Sequence, residues 1–281
     1  MTGSLVVIAT PIGNLGDISP RALDMLASAD IVYCEDTRHT RQIFANKGLA
    51  TGYRLRALHE HNEMSLCDDI VASIRSGQTI GLVSDAGTPG VSDPGSRLIA
   101  YVAAEGLPVT TVPGPSAVIA ALTLSGLSMD RFAFDGFVPR KAGERRELLA
   151  SWARESRTIV VYESPQRIAA TLADVAAVYP DRPLAVVREI TKIHEEVIRG
   201  TAADVAKQFA EREVRGEIVL VVSGVASHVD VADDDVRSAL EDHLSRGASV
   251  RDAAAFVSDD LGVSHRHAYE LALALRRGDE A

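Results

Sequence analysis

Short apolar runs alternate with segments in which apolar residues recur every three or four positions through the first 115 residues. The first pattern predicts buried strands and the second predicts amphipathic helices. The predicted strands are 5–9, 30–36, 79–85 and 108–114, and the predicted helices are 19–29, 64–77 and 95–106. Strands and helices that alternate in this way are typical of a mostly parallel sheet covered by helices on both faces.

The pattern from residue 116 to residue 225 predicts a second α/β domain with a mixed sheet. A basic loop leads into a helix over 140–156, and further helices are predicted over 166–179 and 202–213. The predicted strands are 131–139, 158–165, 183–190, 194–201 and 216–224, and the last two resemble a strand pair that flanks a helix.

The final segment, 226–281, begins with an acidic linker over 226–235 and continues with helices over 235–247, 249–262 and 264–278. Gly262 and Ser264 mark the end of one helix and the N-cap of the next, as in a small helix-turn-helix-like bundle. The predicted fold is therefore a parallel-sheet domain (1–115), a mixed-sheet domain (116–225) and a small C-terminal helical domain (226–281).

Composition and charge narrow the class of protein. The formal net charge of −10 over 281 residues argues against a protein that coats nucleic acid non-specifically, although a local basic surface would still allow RNA as a substrate. Cys34 and Cys67 lack metal-like spacing and are expected to be buried thiols in a reducing compartment. The N-terminus shows no signal peptide, and the uncharged stretch 107–129 contains prolines and glycines that favour a loop and a core helix over a membrane span. We expect a cytoplasmic protein.

Polar loops follow most of the predicted strands, and ligands of open α/β sheets bind beyond the carboxyl ends of the strands. The loops are "ATPIGNLGD", "CEDTRHT", "ALHEHNE", "SDAGTPGVSDPG" and "VPGPSA" in the first domain and "YESPQR" and "REITKIHEE" in the second. The first loop, "ATPIGNLGD", does not have the glycine spacing of a dinucleotide or phosphate loop. Each alone is also compatible with an ordinary turn or a surface ion pair, but together they predict a ligand site in a cleft between the two domains.

Two histidines, His59 and His61, alternate with Glu60, and on an extended chain they would share one side. A metal site needs further ligands at recognisable spacing, which the sequence does not supply. We therefore predict no metal.

The motifs "TPIGNLGDISPRAL", "EDTRHT", "LHEHNE", "LVSDAGTPGVSDPG", "PGPSA", "F-GF-P", "YESPQRI", "REITKIHEE" and "GEIVLVV" occur in this order. Together they resemble the bacterial small-subunit (16S) ribosomal RNA cytidine 2′-O-methyltransferases, a family within the tetrapyrrole methylase superfamily. The resemblance covers about residues 5 to 224, and the helical tail is similar to a small C-terminal domain that many members carry. Gln166 stands where such members often have His.

The resemblance implies a two-domain α/β fold, a homodimer and S-adenosylmethionine bound in the cleft. It also implies that the donor is held by Pro11, Asp85, Gly87, Thr88, Ser116, Ala117 and Tyr162. The reaction would move a methyl group to a ribose 2′-oxygen, which requires alignment and one base. The candidates for that base are Glu35, Asp36, Glu163, Glu189 and Lys192, with the carboxylates ranked above the lysine, and the sequence does not choose among the carboxylates.

RNA phosphates require cationic partners. The candidates are Arg38, Arg140, Lys141, Arg145, Arg167 and Arg188, and basic residues of the tail such as Arg251, Arg266 and Arg276 are expected to add contacts. Two rival functions stay open: a methyltransferase for corrin-type tetrapyrroles, which shares the fold, and a DNA-binding regulator, suggested by the tail alone.

Overall fold

The computed structural model describes residues 3–46, 48, 54–225 and 233–278. The chain divides into two compact units, Met1–Ser223 and Gly224–Ala281. The first unit contains two five-stranded sheets. We call the first sheet with its helices the first lobe, and the second sheet with its helices the second lobe.

The first lobe is built on an all-parallel sheet in the order β3-β2-β4-β1-β5. Its strands are β1 (Ser4–Ile8), β2 (Ile31–Cys34), β3 (Leu55–Ala57), β4 (Thr79–Val83) and β5 (Val109–Val112). The two central strands, β1 and β4, are buried at nearly every position because helices cover both faces, and this explains their unbroken apolar sequences.

Four helices cover this sheet: α1 (Pro20–Ser28), α2 (Thr37–Asn46), α3 (Glu63–Arg75) and α4 (Ser96–Ala104). Helix α1 begins as predicted, because the Ser19 hydroxyl accepts a hydrogen bond from Ala22 N and Pro20 occupies the first position. The buried faces form one cluster on each side of the sheet, and both free cysteines, Cys34 and Cys67, lie in these clusters.

The second lobe is built on a mixed sheet, as the sequence predicts, and its strand order is β6-β7-β10-β8-β9. Its strands are β6 (Phe132–Phe137), β7 (Thr158–Glu163), β8 (Pro183–Arg188), β9 (Glu196–Thr201) and β10 (Ile218–Val222), and its helices are α5 (Ala117–Ser125), α6 (Ala142–Ser151), α7 (Ile168–Val178) and α8 (Ala202–Phe209). Strand β6 is parallel to β7, and the remaining pairs are antiparallel.

The chain passes from the first lobe to the second between β5 and α5. Helix α5 packs against Val160, Ala185 and Val219 of the second sheet, and Ile12 from the loop after β1 joins the same cluster. This shared apolar cluster fixes the loops of the two lobes against each other.

The second unit contains three helices, α9 (Asp233–Ser245), α10 (Val250–Leu261) and α11 (His265–Gly278), around a core of small and branched apolar residues. Gly262 ends α10 with φ of 67°, and the Ser264 hydroxyl accepts a hydrogen bond from His267 N, as predicted. Most of the predicted linker, 226–232, lies outside the described residues.

Several local features differ from the expectations. Helix α2, which was not predicted, follows Asp36, because the Asp36 carboxylate accepts a hydrogen bond from Arg38 N and Ile43 and Phe44 bury the inner face. The segment with His59 and His61 is a turn, since Asn62 Oδ1 accepts a hydrogen bond from His59 N. The strands that flank α8 are not neighbours, because β8 lies between β9 and β10. No helix in the described part of the chain is long and apolar enough to cross a membrane.

Candidate functional site

A cavity of about 340 Å³ lies where loops of the two lobes meet. From the first lobe it is lined by Ile12, Ala86, Gly87, Thr88, Val91 and Asp93. From the second lobe its lining includes Ser116, Ala117, Phe137, Tyr162, Glu163 and Glu217. Its volume lies in the range of pockets that hold small-molecule ligands and cofactors. The cleft predicted from the sequence is therefore a defined cavity.

Five of the seven residues expected to hold a methyl donor line this cavity: Gly87, Thr88, Ser116, Ala117 and Tyr162. Pro11 and Asp85 lie just outside the lining. Pro11 is buried next to Ile12, which does line the cavity. Asp85 Oδ1 instead accepts a hydrogen bond of 3.0 Å from Asp36 N, so this carboxylate ties the loop after β4 to the loop after β2.

The turn after β4 is fixed to the loop after β1. Thr10 and Gly87 exchange two backbone hydrogen bonds of 2.9 and 3.1 Å, and the buried Thr10 hydroxyl donates to Ser84 O at 3.1 Å. Gly87 has φ of 81°, a left-handed conformation that favours glycine. A Cβ there would lie 3.4 Å from Ile12 Cγ2, so the glycine also permits this close approach at the cavity wall.

A buried carboxylate binds the far end of the loop that follows β4. Glu63, which is 3% exposed, accepts hydrogen bonds from Gly95 N at 3.0 Å and Leu98 N at 2.9 Å. It therefore caps α4, the helix that follows the turn-rich segment. Sequence reasoning missed Glu63, because its partners are more than 30 residues away along the chain.

Carboxylates gather at the first-lobe side of the cavity. Burial, together with the charges of Asp85 and Asp36, raises the pKa of Glu35. Burial and the charge of Glu35 raise the pKa of Asp93 to about 6, although a hydrogen bond from Ser84 opposes the shift. Asp93 lines the cavity and Glu35 does not. Asp93 was absent from the predicted base candidates, although its motif, "SDPG", was part of the resemblance.

Asp36 differs from its neighbours because it has a cationic partner. Hydrogen bonds from the side chain and backbone of Arg38 lower the pKa of Asp36 to about 2. The ion pair spans 2.7 Å and is exposed to solvent. Asp36 is thus a weak proton acceptor, and its contacts place it at the start of α2.

Glu163 lines the cavity, but its carboxylate is already occupied. Oε1 accepts from Ser164 N and pairs with Arg167, both at 2.6 Å, while Oε2 accepts from the Thr171 hydroxyl at 2.6 Å. The side chain is fully buried. These contacts indicate a structural carboxylate that holds the segment after β7 to α7.

Glu189 and Lys192 are bound to each other. Lys192 Nζ lies 2.8 Å from Glu189 Oε1 and 2.8 Å from Glu217 Oε2. Burial alone would lower the pKa of Lys192, but its hydrogen bonds to Glu189 and Glu217 raise it. Burial alone would raise the pKa of Glu189, but hydrogen bonds from Lys192 and Glu217 N lower it. Neither residue lines the cavity.

Tyr162 forms the aromatic wall of the cavity. Its ring makes edge-to-face contacts with Phe134 and Phe137, with centroids 4.9 and 5.2 Å apart. Burial and the nearby charge of Asp93 raise the pKa of Tyr162 to about 12, so the hydroxyl stays protonated and can donate a hydrogen bond.

The six residues expected to contact RNA phosphates separate into two groups. Arg145, Arg167 and Arg188 are largely buried and pair with Asp174, Glu163 and Glu196. Arg38, Arg140 and Lys141 are exposed, and Arg38 and Lys141 pair with nearby carboxylates on the surface. Only the exposed group presents cationic atoms to a polyanion without first breaking a partly buried ion pair.

The carboxylates at the cavity do not form a metal site. Among the described residues, no group of three or more His, Cys, Asp or Glu side chains is arranged to hold a metal ion. What the site offers is a cavity with left-handed turns, an aromatic wall and a carboxylate whose pKa is near 6. This arrangement suits positioning and proton removal.

Comparisons with known proteins point to one family. The profile described as Tetrapyrrole (Corrin/Porphyrin) Methylases matches residues 4–206. A protein named Ribosomal RNA small subunit methyltransferase I from Xylella fastidiosa is 49% identical over 80% of this chain and 82% of its own length. Proteins of the same name from Synechocystis and Mycobacterium bovis are 39% and 42% identical, and the alignments cover 97% and 98% of this chain and 98% and 96% of theirs.

Solved structures share the fold at lower identity. Diphthine synthase aligns with a TM-score of 0.61 and 18% identity over 80% of this chain and 91% of its own. Uroporphyrin-III C-methyltransferase from Thermus thermophilus, in complex with S-adenyl homocysteine, aligns with a TM-score of 0.53 and 20% identity over 79% of this chain and 97% of its own. These similarities support the two-lobed α/β architecture.

Proposed function

The chain belongs to the tetrapyrrole (corrin/porphyrin) methylase family, and from that premise we propose that it methylates the ribose 2′-oxygen of a cytidine in small-subunit (16S) ribosomal RNA. It is an S-adenosylmethionine-dependent methyltransferase, as its rRNA-modifying relatives are. One observation carries the assignment of the site. The cavity lined by five of the expected donor-binding residues also contains Asp93, whose pKa is near 6.

The residues at the cavity fit the methyl donor. Gly87 and Ser116 lie on opposite lobes, and both line the cavity. Ser116 is the N-cap of α5, but its side chain does not cap the helix, so the N–H groups of the first turn are available to polar atoms of a ligand. Tyr162 and Ile12 supply apolar surface for a planar base. We propose that Pro11 and Asp85 act indirectly, by holding the loops that line the cavity.

S-adenosylmethionine supplies, when bound, a methyl group on a sulfonium whose departure leaves a neutral thioether, so the leaving group requires no acid. The protein must still remove a proton from the ribose hydroxyl. We propose Asp93 for that step, with Glu35 and Asp85 nearby to raise its proton affinity. A carboxylate with a pKa near 6 is ionised at neutral pH and still accepts a proton readily.

Glu35 is the second candidate for the base, since its pKa is raised and it lies close to Asp93. Asp36, Glu163, Glu189 and Lys192 are less suited, because hydrogen bonds and ion pairs already occupy their charged atoms. We assign the last three to holding the second-lobe loops in place.

We propose that RNA first contacts Arg38, Arg140 and Lys141, whose charged groups are exposed. Phosphates compete with surface carboxylates for such cations at little cost, because exposed ion pairs contribute about 0–1 kcal/mol. We also propose that residues 1–115 and 116–225 form two domains that enclose the donor, and that residues 226–281 add contacts to the ribosomal particle. We propose further that the protein is a homodimer and that it acts in the cytoplasm.

The test is a map of 2′-O-methyl groups on small-subunit RNA from cells that lack this protein. The proposal predicts that one cytidine loses its methyl group and regains it when the wild-type gene is restored. A parallel assay offers purified protein unmethylated small subunits, naked small-subunit RNA and a precorrin, each with S-adenosylmethionine. An unchanged map together with methylation of the precorrin would contradict the proposal and favour the corrin alternative.

A further inference from the structure

An aromatic side chain is exposed at the rim of the cavity. Phe137 lines the cavity, yet 58% of its surface is accessible to solvent. Exposure of a large apolar side chain to water is unfavourable. An exposed phenylalanine beside a ligand site therefore indicates a surface that a ligand or partner covers on binding.

The backbone around Phe137 is shaped to present it. Strand β6 pairs regularly with β7 as far as Phe134 and Val160, and the register then shifts before Phe137 pairs with Tyr162. Gly136 lies inside this bulge with φ of 70°. Bulges occur beside active sites, where they redirect a side chain, and glycine gives the left-handed residue at no steric cost.

Contacts on both sides of the bulge hold it in place. Asp135 Oδ2 accepts a hydrogen bond of 3.0 Å from the buried Trp152 indole, and Val138 N donates to Tyr162 O at 3.0 Å. A Cβ added at Gly136 would lie 3.6 Å from Ser92 Oγ, so the bulge borders the loop that carries Asp93. Phe137 therefore lines the same cavity as Asp93, the carboxylate that we assign as the base, from the opposite lobe.

Resting on the proposed function, we propose that Phe137 is the platform on which the base of the target nucleotide stacks. A ribose that enters the cavity lined by Asp93 takes its nucleotide out of the continuous stack of the RNA strand, and its base then loses its stacking partners. RNA-binding proteins compensate for this loss with exposed aromatic rings. The edge-to-face contact with Tyr162, at 5.2 Å, fixes the Phe137 ring from one side and leaves surface for a base.

The experiment compares three substitutions of Phe137 with one control. Phe137→Ala and Phe137→Leu remove the planar ring, and Leu keeps apolar bulk, whereas Phe137→Tyr keeps the ring. Phe132→Ala is the matched control, because Phe132 lies on the same strand, is 37% exposed and does not line the cavity. For each purified variant, KM is measured with small subunits from cells lacking the protein, and the affinity for S-adenosylhomocysteine is measured by calorimetry.

We expect the Ala and Leu variants to raise KM for the subunits by about 5- to 100-fold, the range that corresponds to loss of one base–aromatic stack. The Tyr variant and the Phe132→Ala control should stay within about twofold of the wild type. The Tyr variant and the Phe132→Ala control should keep the wild-type S-adenosylhomocysteine affinity and melting temperature, and in the Ala and Leu variants the rise in KM should exceed any loss of S-adenosylhomocysteine affinity. An unchanged KM with weaker S-adenosylhomocysteine binding would overturn the proposal and make Phe137 a wall of the donor pocket.

Sedimentation of the same variants tests a third possibility, that Phe137 lies in an interface between two copies of the chain. If Phe137→Ala, but not Phe132→Ala, dissociates a dimer, the ring covers an interface between copies and the stacking role is wrong. A wild-type protein that fails to methylate small subunits would instead contradict the proposed function itself, whatever the variants do.

Discussion

The two lobes both place carboxylates at or near the ends of strands, but the surroundings of these carboxylates differ. In the first lobe, Glu35 and Asp93 lie near other carboxylates, and their pKa values are raised. In the second lobe, Glu163, Glu189 and Glu196 each pair with an arginine or lysine. A carboxylate without a cationic neighbour, as at Glu35 and Asp93, therefore has a raised pKa, whereas a carboxylate paired with a cation, as at Asp36 of the first lobe or Glu163 of the second, makes a structural contact.

On the proposed function, this difference separates proton removal in the first lobe from ligand positioning in the second. Ion pairs of Glu163, Glu189 and Glu196 tie the second-lobe loops to neighbouring elements, which suits the positioning of ligands. The uncompensated charges of the first lobe cost stability, and proteins commonly accept such a cost at functional sites. The following predictions test this contrast from the largest expected effect to the smallest.

Asp93→Asn should reduce kcat for methyl transfer by about 100-fold or more, since general-base catalysis contributes at least this much. The rise of kcat/KM with pH, expected near pH 6 in the wild type from the pKa of Asp93, should disappear in the variant. Calorimetry with S-adenosylhomocysteine provides the control, because donor binding should be retained. A variant with wild-type kcat and an unchanged pH profile would remove Asp93 from the mechanism.

Glu163→Ala should lower the free energy of unfolding by about 2–4 kcal/mol, because it leaves Arg167 partly buried without its partner. The matched control is Glu144→Ala, which breaks the exposed pair with Lys141 and should cost about 0.5 kcal/mol or less. Chemical denaturation measures both. If Glu163→Ala kept the stability of the wild type but abolished methyl transfer, the second lobe would hold the base and the contrast would be reversed.

Asp93→Asn should also stabilise the protein at neutral pH by about 1–2 kcal/mol. The folded-state pKa of Asp93 lies above its ordinary value of 3.8, so the folded protein binds the proton more tightly than the unfolded chain does. The wild type therefore loses stability relative to the variant as pH rises through the window from about 4 to 6, and the gap is complete above it.

Melting temperatures of the two proteins across this pH range measure the gap, and the comparison at about pH 3, below both the ordinary and the folded-state pKa of Asp93, serves as the internal reference. A gap that is constant with pH would show that the substitution acts through packing rather than through charge.

Glu35→Gln should move the acidic limb of the pH profile to lower pH by less than about 1 unit, because it removes a charge that raises the pKa of Asp93. Glu60→Gln is the control, since Glu60 is exposed on a nearby turn and is not among the charges that raise this pKa. A shift to higher pH, or the loss of the limb, would indicate that Glu35 is the base.

Local patterns were enough to predict most of the fold. The apolar runs that became β1 and β4 and the caps of α1 and α11 depend on residues a few positions apart, so the sequence displays them directly. Helix α2 was missed because its first turn, Thr37 to Thr40, contains no apolar residue. In addition, the Asp36 carboxylate that caps the helix also pairs with Arg38, and the sequence suggested only the ion pair.

The motifs predicted which loops form the cavity, but they did not predict the burial or the pKa values of the carboxylates in those loops. The burial of Glu63 and the raised pKa of Asp93 depend on α4 and on Glu35, which lie far away along the chain. Arg145 was expected on the surface because its neighbours are basic, yet Asp174 of α7 binds it. Phe137 did carry a usable signal, since a glycine beside it in a predicted strand indicates a bulge.

A crystal structure of the protein with S-adenosylhomocysteine would test the central claim most directly. The account predicts that the ligand binds in the cavity between Gly87 and Ser116 with its sulfur atom facing the Asp93 carboxylate, and that the space beside Asp93 stays open for a ribose. A ligand bound elsewhere, or one whose sulfur faces Glu163 or Glu189 and lies away from Asp93, would contradict it.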